Sequence, residues 1–193
     1  LKVHSRDMEV IATQLPGVVI IRPEVFGDSR GYFFESFSVR RYDSLTGKEG
    51  FVQDNESKSC RGVVRGLHYQ KGSFAQAKLV RVVQGCVRDV AVDLRVGSPS
   101  FGKSVAVDLS GENHLQLYIP RGFAHGFSVL SETAVFQYKC DNYYEPSAEA
   151  GIAWNDPDLG IDWGLDTDSA ILSPKDTARP RLKDVPVEEL FIY

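Results

Sequence analysis

The chain has 193 residues, of which 42% are hydrophobic and 25% charged, a make-up suited to a folded domain with a substantial core and not to a fibrous or disordered segment. Twenty-two Lys and Arg stand against 26 Asp and Glu, a formal charge of -4, so the basic excess by which proteins grip nucleic acid is missing and no nucleic-acid partner is expected. No apolar run approaches the ~18 residues that cross a bilayer and no secretory segment opens the chain, so no membrane partner is expected, and three widely spaced cysteines without a CxxC pair fit a reducing, cytoplasmic setting.

Residues 1–7 precede the only methionine, Met8, and read as an appended scar, which leaves 8–193 as a single domain and His4 without functional weight. Short strands dominate that domain. Apolar runs at 18–21 and 32–34 open the series, and a short helix is expected at 39–45. Further strands are expected at 79–83, 87–95, 104–109, 115–119, 127–130 and 134–139. Within 87–95 the side chains alternate, with Val90, Val92 and Leu94 on one face and Asp89, Ala91 and Asp93 on the other. Ala134, Phe136 and Tyr138 likewise share one face, with Val135, Gln137 and Lys139 opposite. Gly85, Gly97-Ser98-Pro99, Ser110-Gly111 and Ser131-Glu132 punctuate the series as turns. A second short helix is expected at 186–190. Strands at this spacing, with few helices between them, indicate an all-β sandwich or barrel with short peripheral helices.

Several side chains could carry chemistry. His68 lies in Arg65-Gly66-Leu67-His68-Tyr69-Gln70 and His125 in Gly122-Phe123-Ala124-His125-Gly126-Phe127, both near glycines that allow a ligand to approach the backbone. His114 reads as a surface residue in a turn. No His-x-His occurs and neither His68 nor His125 has a second imidazole close by in sequence, so no metal is expected. Taken singly, Lys78 reads as a solvated residue at a strand start, Tyr138 as a core tyrosine with its hydroxyl bonded, and Asp176 as a turn or helix-cap aspartate. Parity adds a constraint: His68 shares a face with Gly66, and Arg65 points the other way. Both can face one cavity only if a bulge at Gly66 shifts the register.

The combination says more than its parts. Phe26-Gly27-Asp28-Ser29-Arg30-Gly31, Arg65-Gly66-Leu67-His68-Tyr69-Gln70, Ala75-Gln76-Ala77-Lys78-Leu79-Val80-Arg81, Pro120-Arg121-Gly122-Phe123-Ala124-His125-Gly126-Phe127, Tyr138-Lys139-Cys140-Asp141-Asn142-Tyr143-Tyr144 and Trp154-Asn155-Asp156 occur in that order. Together, over about 18–176, they resemble the dTDP-4-dehydrorhamnose 3,5-epimerase family. The resemblance implies a cupin-like double-stranded β-helix (jelly roll), a homodimer, and no cofactor. It implies epimerisation of dTDP-4-keto-6-deoxyglucose, a dTDP-linked 4-keto-6-deoxy sugar, at C3 and C5 to dTDP-4-keto-rhamnose, a step of dTDP-rhamnose and polysaccharide biosynthesis. By motif, His68 looks like the general base, Asp176 the carboxylate that orients it, Lys78 the group facing the keto oxygen and Tyr138 the proton donor. Arg30, Glu35, Gln53, Asp54, Asn55, Arg65, His125, Glu149 and Lys175 match substrate-contacting positions, and Tyr144 resembles the aromatic that stacks on thymine. Three alternatives stand beside this reading: an epimerase of a related keto sugar that inverts only C3 or C5, a metal-dependent cupin, and a sugar-binding module.

These residue types suit the chemistry. Epimerisation beside a ketone removes a proton, passes through a planar enolate and returns a proton to the other face. A neutral imidazole titrates near the working pH, and a carboxylate on its second nitrogen fixes the tautomer. An ammonium meets the charge that develops on the keto oxygen. The second proton has to come from the opposite side, which calls for a separate donor.

Overall fold

The computed structural model describes residues 8–46 and 50–193; the segment 1–7, read above as an appended scar, lies outside them. The chain opens with β1 (Glu9–Ala12), β2 (Val19–Arg22) and a hairpin of β3 (Phe26–Asp28) and β4 (Gly31–Phe33), followed by helix α1 (Val39–Thr46). Next come β5 (Gln53–Cys60), β6 (Val64–Gln70), β7 (Lys78–Gln84), β8 (Cys86–Asp93) and the short β9 (Arg95–Val96). They are followed by β10 (Ser104–Ser110), β11 (Gln116–Ile119), β12 (Phe123–Val129), β13 (Thr133–Cys140) and β14 (Glu149–Gly151). A one-turn helix α2 (Pro174–Thr177) and a final strand β15 (Phe191–Ile192) close the chain.

Pairing explains the architecture. A six-stranded sheet runs in the order β1-β2-β11-β7-β13-β5 and a five-stranded sheet in the order β10-β8-β12-β6-β14. The partners nest: β8 pairs β10, β7 pairs β11, β6 pairs β12 and β5 pairs β13, all antiparallel. This is one long hairpin wound so that its successive strands fall in two facing sheets, which leaves few unpaired edges.

Three apolar clusters hold the layers. Between the sheets lie Val80, Val82, Leu117, Ala134 and Phe136 from one side and Val87, Ala91, Phe123, Phe127 and Val129 from the other. The outer face of the five-stranded sheet, including Val90, Val92 and Leu94, is covered by Ile152, Trp154, Trp163, Leu182 and Val185 of the C-terminal region. The outer face of the six-stranded sheet packs Ile21, Ala77, Leu79 and Tyr118 against Tyr42 of α1. Both faces of β8 are therefore buried, and its apparently polar face, with Asp89 and Asp93, is the one that looks into the sandwich.

The expected strands at 18–21, 32–34, 79–83, 87–95, 104–109, 115–119 and 134–139 are all present within a residue or two, as is the helix at 39–45. Two expectations change. The helix at 186–190 is a single 3-10 turn at Val187–Glu189 that leads into β15, because β15 pairs with β9 in parallel and needs an extended chain. The strand at 127–130 begins at Phe123, since Gly126 tolerates the close approach of Arg65 and Gly66 across the ladder, where a Cβ would lie 2.6 Å from the Arg65 carbonyl oxygen. Among the described residues no helix is long and apolar enough to cross a membrane.

Candidate active site

Inward parity selects the residues of one basin between the sheets. On β7 the inward series Val82 and Val80 ends at Lys78; on β13, Ala134 and Phe136 lead to Tyr138 and Cys140. Register sets Tyr138 beside Asn55 of β5 and Val80 of β7, and Cys140 beside Gln53 and Lys78. The facing sheet contributes a cross-strand row of Ala91, His125 and His68. Lys78 is thus not the solvated edge residue it resembles in isolation.

His68 and Asp176 form the first linked pair. His68 Nε2 lies 2.5 Å from Asp176 Oδ1, with the carboxylate 4% exposed. Local sequence holds it there: Ser173 caps α2, its hydroxyl accepting from the Asp176 amide at 3.2 Å, and Pro174 occupies the first turn. Burial alone would raise the Asp176 carboxyl, but the His68 hydrogen bond and charge, Ser173 and the Gly66 amide outweigh it and hold it below the ordinary aspartate value. A depressed carboxyl favours the fold above the ordinary aspartate range and loses that contribution as pH falls through the folded-state value.

The bulge required by parity is present. His125 is paired with His68 and Phe127 with Arg65, two residues on β12 against three on β6, so one extra residue turns Arg65 and His68 to the same side. Arg65 Nε accordingly donates to Ser59 Oγ on the inward face of β5 at 3.1 Å. Gly66 makes this possible, with φ of 134°. A Cβ there would sit 2.5 Å from Gly126 Cα. Gly66→Ala is expected to destabilise the protein by on the order of 2–4 kcal/mol, read from urea unfolding, and to cost activity in the fraction that remains folded.

A second linked pair lies deeper. His125 Nε2 is 2.9 Å and 3.1 Å from the two Asp89 oxygens, and Asp89 is fully buried. Burial pushes the Asp89 carboxyl up and the His125 imidazole down, each toward its neutral form, and their mutual contact opposes both shifts. Lys78 joins this cluster electrostatically: burial lowers its ammonium below the ordinary lysine value while Cys140 and Asp89 pull it back up. Its Nζ is 5.7 Å from the centre of the Tyr138 ring. Burial and the neighbouring Cys140 raise the Tyr138 phenol, with Arg65 opposing, so Tyr138 keeps its proton.

At the rim, Glu149 on β14 gathers donors. The Tyr144 hydroxyl donates to Oε2 at 2.5 Å, Lys175 Nζ lies 3.0 Å from both oxygens, and Arg179 Nη2 donates to Oε1 at 2.6 Å. The Tyr144 hydrogen bond chiefly, with Lys175 and Arg179, holds the Glu149 carboxyl at about 2 against burial. Gln53 accepts the Tyr144 amide at 3.0 Å and donates to Asn55 at 3.1 Å.

Three expected substrate contacts are not brought to the basin. Asp54 alternates away from Gln53 and Asn55 on β5 and pairs with Lys139 on the outer face. Arg30 sits in the β3–β4 hairpin with its side chain 88% exposed, paired with Asp28. Glu35 bonds to Ser38 and Arg41 ahead of and within α1. Among the described residues no three His, Cys, Asp or Glu side chains gather around a metal position.

The model of the family described as dTDP-4-dehydrorhamnose 3,5-epimerase matches residues 12–184. The chain belongs to the dTDP-4-dehydrorhamnose 3,5-epimerase family. It is 55% identical over 170 residues to the dTDP-4-dehydrorhamnose 3,5-epimerase of Escherichia coli K12, covering 88% of this chain and 91% of the relative. Among solved structures it is similar to the dTDP-6-deoxy-D-glucose-3,5-epimerase of Legionella pneumophila in complex with dTDP-4-keto-L-rhamnose, with a TM-score of 0.93 at 52% identity over 96% of this chain and 98% of that one. A 3'-monoepimerase from Streptomyces bikiniensis in complex with dTDP-quinovose is more distant, with a TM-score of 0.84 at 33% identity over 90% and 87% of the two chains. The fold of this dTDP-4-dehydrorhamnose 3,5-epimerase family member is the cupin-like jelly roll its motifs imply.

Sequence reasoning missed Asp89 and Arg179 in this family member. The signal for Asp89 was partly legible: it shares a strand face with Ala91 and Asp93 opposite the apolar row Val90, Val92 and Leu94, and a carboxylate on a strand buried on both faces marks a polar site. Nothing local in Ala178-Arg179-Pro180 marks Arg179, whose partner Glu149 is 30 residues away.

Proposed function

We propose that this chain converts dTDP-4-keto-6-deoxyglucose to dTDP-4-keto-rhamnose by epimerising C3 and C5 through an enolate. The observation that carries this reading is the division of labour between the walls: His68 on the five-stranded sheet, held by Asp176 of α2, and Lys78 with Tyr138 on the six-stranded sheet. Facing sheets stand ~10 Å apart, so a pyranose ring between them offers one face to an imidazole and the other to a phenol.

His68 removes the proton from the carbon beside the C4 ketone, and Asp176 holds the imidazole in register and stabilises the imidazolium that forms. Negative charge moves to the keto oxygen, where Lys78 meets it. Tyr138, kept protonated by burial, returns a proton to the other face. His125 and Asp89 back Lys78 from the facing sheet. At the rim the Tyr144 ring supports the thymine, Gln53, Asn55 and Glu149 line the path to it, and Arg65 and Lys175 meet the diphosphate. The bound dTDP-4-keto-L-rhamnose of the Legionella relative supports a nucleotide-sugar ligand of this class.

We further infer that one domain over 8–193 acts as a homodimer, in a cytoplasmic setting that suits the free thiols Cys60, Cys86 and Cys140. The β3–β4 hairpin supports the dimer, because Phe26, Tyr32 and Phe33 are 54%, 59% and 69% exposed, an apolar patch that a second copy would cover. Arg30 and Glu35 would then act across the interface. Sedimentation of the purified protein is expected to give a dimer, and Phe33→Glu to shift it toward monomer.

Product NMR in deuterated water tests the reaction. Deuterium is expected at both C3 and C5, and exchange is expected to persist after chelation. Label at one carbon alone would make the chain a single-centre epimerase like the Streptomyces bikiniensis relative; tight binding without exchange would make it a binding module. Tyr138→Phe is expected to spare exchange at the carbon that His68 deprotonates and to lower inverted product on the order of 100-fold.

A further inference from the structure

We propose that Arg179 is a positioning residue of the nucleotide subsite: it fixes Glu149, and through Glu149 the Tyr144 ring, so that Lys175 is left to engage the diphosphate. The inference rests on the nucleotide-sugar reading above and assigns work to a side chain which that reading leaves idle.

The two cations on Glu149 are unlike. The Lys175 side chain is 70% exposed, whereas those of Arg179 and Glu149 are 17% and 19% exposed. An exposed ammonium on a flexible stem contributes little to a fixed ion pair and is easily drawn to another anion. A guanidinium held in a partly buried site keeps its geometry and forms the stronger, charge-assisted bond. When Lys175 turns to a diphosphate, Glu149 loses one counter-charge, and Arg179 is the cation that remains at 2.6 Å.

Glu149 in turn sets the aromatic ring. Tyr144 is half exposed and is held at two points, its amide on Gln53 and its hydroxyl on Glu149. Release of the second point would leave the ring free to tilt about its χ angles. The Arg179 stem is itself confined. It lies flat on Gly151, where a Cβ would come within 2.9 Å of Arg179 Nε and 3.1 Å of Cδ. The Nε is buried and has no hydrogen-bond partner among the described residues. A buried donor left unpaired costs stability, which fits a side chain held for the sake of its other end, the Nη2 on Glu149.

The test uses the full chain with thymidine diphosphate as the probe for calorimetry and the keto sugar for steady-state rates. In folded Arg179→Met, checked by thermal unfolding, Kd for thymidine diphosphate and KM for the substrate are expected to rise ~10-fold, with a smaller change in kcat. Arg179→Lys is expected to recover part of the loss, as charge returns without the planar fork. In a Tyr144→Phe background, Arg179→Met is expected to add little further, because the path from Arg179 to the ring is already cut. A wild-type Kd in Arg179→Met, a loss confined to kcat, or an equal loss in both backgrounds overturns the proposal. If the Met variant does not fold, Arg179→Lys carries the same comparison with the stem retained. Failure of the wild-type protein to bind thymidine diphosphate overturns the nucleotide reading itself, and this proposal with it; wild-type binding with an indifferent Arg179 overturns only the latter.

Discussion

His68→Ala is expected to abolish solvent-deuterium exchange at both C3 and C5, a loss on the order of 10³–10⁴-fold, with little change in nucleotide affinity and a modest fall in unfolding temperature. The stability expectation follows from placement. The His68 side chain is 38% exposed and belongs to none of the apolar clusters, so its removal opens no core cavity, but it leaves the buried Asp176 carboxylate without its imidazole partner. The affinity expectation follows from the distribution of contacts: Tyr144, Gln53, Glu149 and Lys175 form a rim cluster apart from the His68–Asp176 pair. Asp176→Asn should lie between the variant and the wild type. Asparagine keeps the shape but loses the charge that stabilises an imidazolium, and its amide can hold the wrong tautomer. Asp176 is buried and its carboxylate is paired, so this variant also loses the contribution to stability that the wild-type carboxylate gives up in acid. Wild-type exchange in His68→Ala would remove His68 from the base role and with it the wall assignment on which the mechanism depends.

The all-β class was legible because most strands announce themselves by alternation: 79–83, 104–109 and 134–139 carry their inward apolar residues in plain view. β5 was not. Gln53–Cys60 contains no aliphatic or aromatic residue, and its inward positions Gln53, Asn55, Ser57 and Ser59 are polar because that face lines the basin rather than the core. Pairing along β13 and not its own propensity makes it a strand. The helix expected at 186–190 failed for the opposite reason. Its local pattern suits a helix, but the parallel pairing of β15 with β9 is a long-range contact that no short window contains.

The site shows the same division. His68, Lys78, Tyr138 and Asp176 come from four segments; the first three sit in motifs whose order in the chain is distinctive, whereas Asp176 lies beyond the last of them, in Leu172-Ser173-Pro174-Lys175-Asp176. Strand parity then separates Gln53 and Asn55 from Asp54 with no knowledge beyond period two. Applied to 53–55 it already argues that three successive residues of a strand cannot all touch one ligand. Parity failed at 64–70 without the glycine, and Gly66 was the visible clue to the bulge. Arg30 and Glu35 belong to a different case: their motif points to the ligand, while the single chain leaves both far out on the surface. In the dimer proposed above that distance would be closed by a second copy, which patterns within one sequence do not encode.

Lys78→Met is expected to slow exchange by ~10²–10³-fold, corresponding to ~3–4 kcal/mol of lost enolate stabilisation, while leaving the fold in place. Methionine matches the stem in length and suits the half-apolar surroundings of Val80, Cys140 and Tyr138. The effect is large because the charge acts in a partly buried basin, where a placed ammonium is worth more than in solvent. Burial makes the same point through pH. It lowers the Lys78 ammonium below the ordinary lysine value, with Asp89 and Cys140 opposing, so exchange should fall on the alkaline side before an ordinary lysine would lose its proton. Asp89 faces Lys78 from β8, His125 from β12, and Tyr138 and Cys140 flank it from β13. Of these, Cys140 and Asp89 oppose the effect of burial and help keep Lys78 protonated. Asp89→Asn removes the share that Asp89 supplies and should move the alkaline limb to still lower pH, measured as exchange rate against pH. The Lys78→Met profile should show no such limb, since the group that titrates is gone. If Lys78→Met exchanges at the wild-type rate, or Asp89→Asn moves the limb upward, the ammonium does not meet the enolate and another donor must.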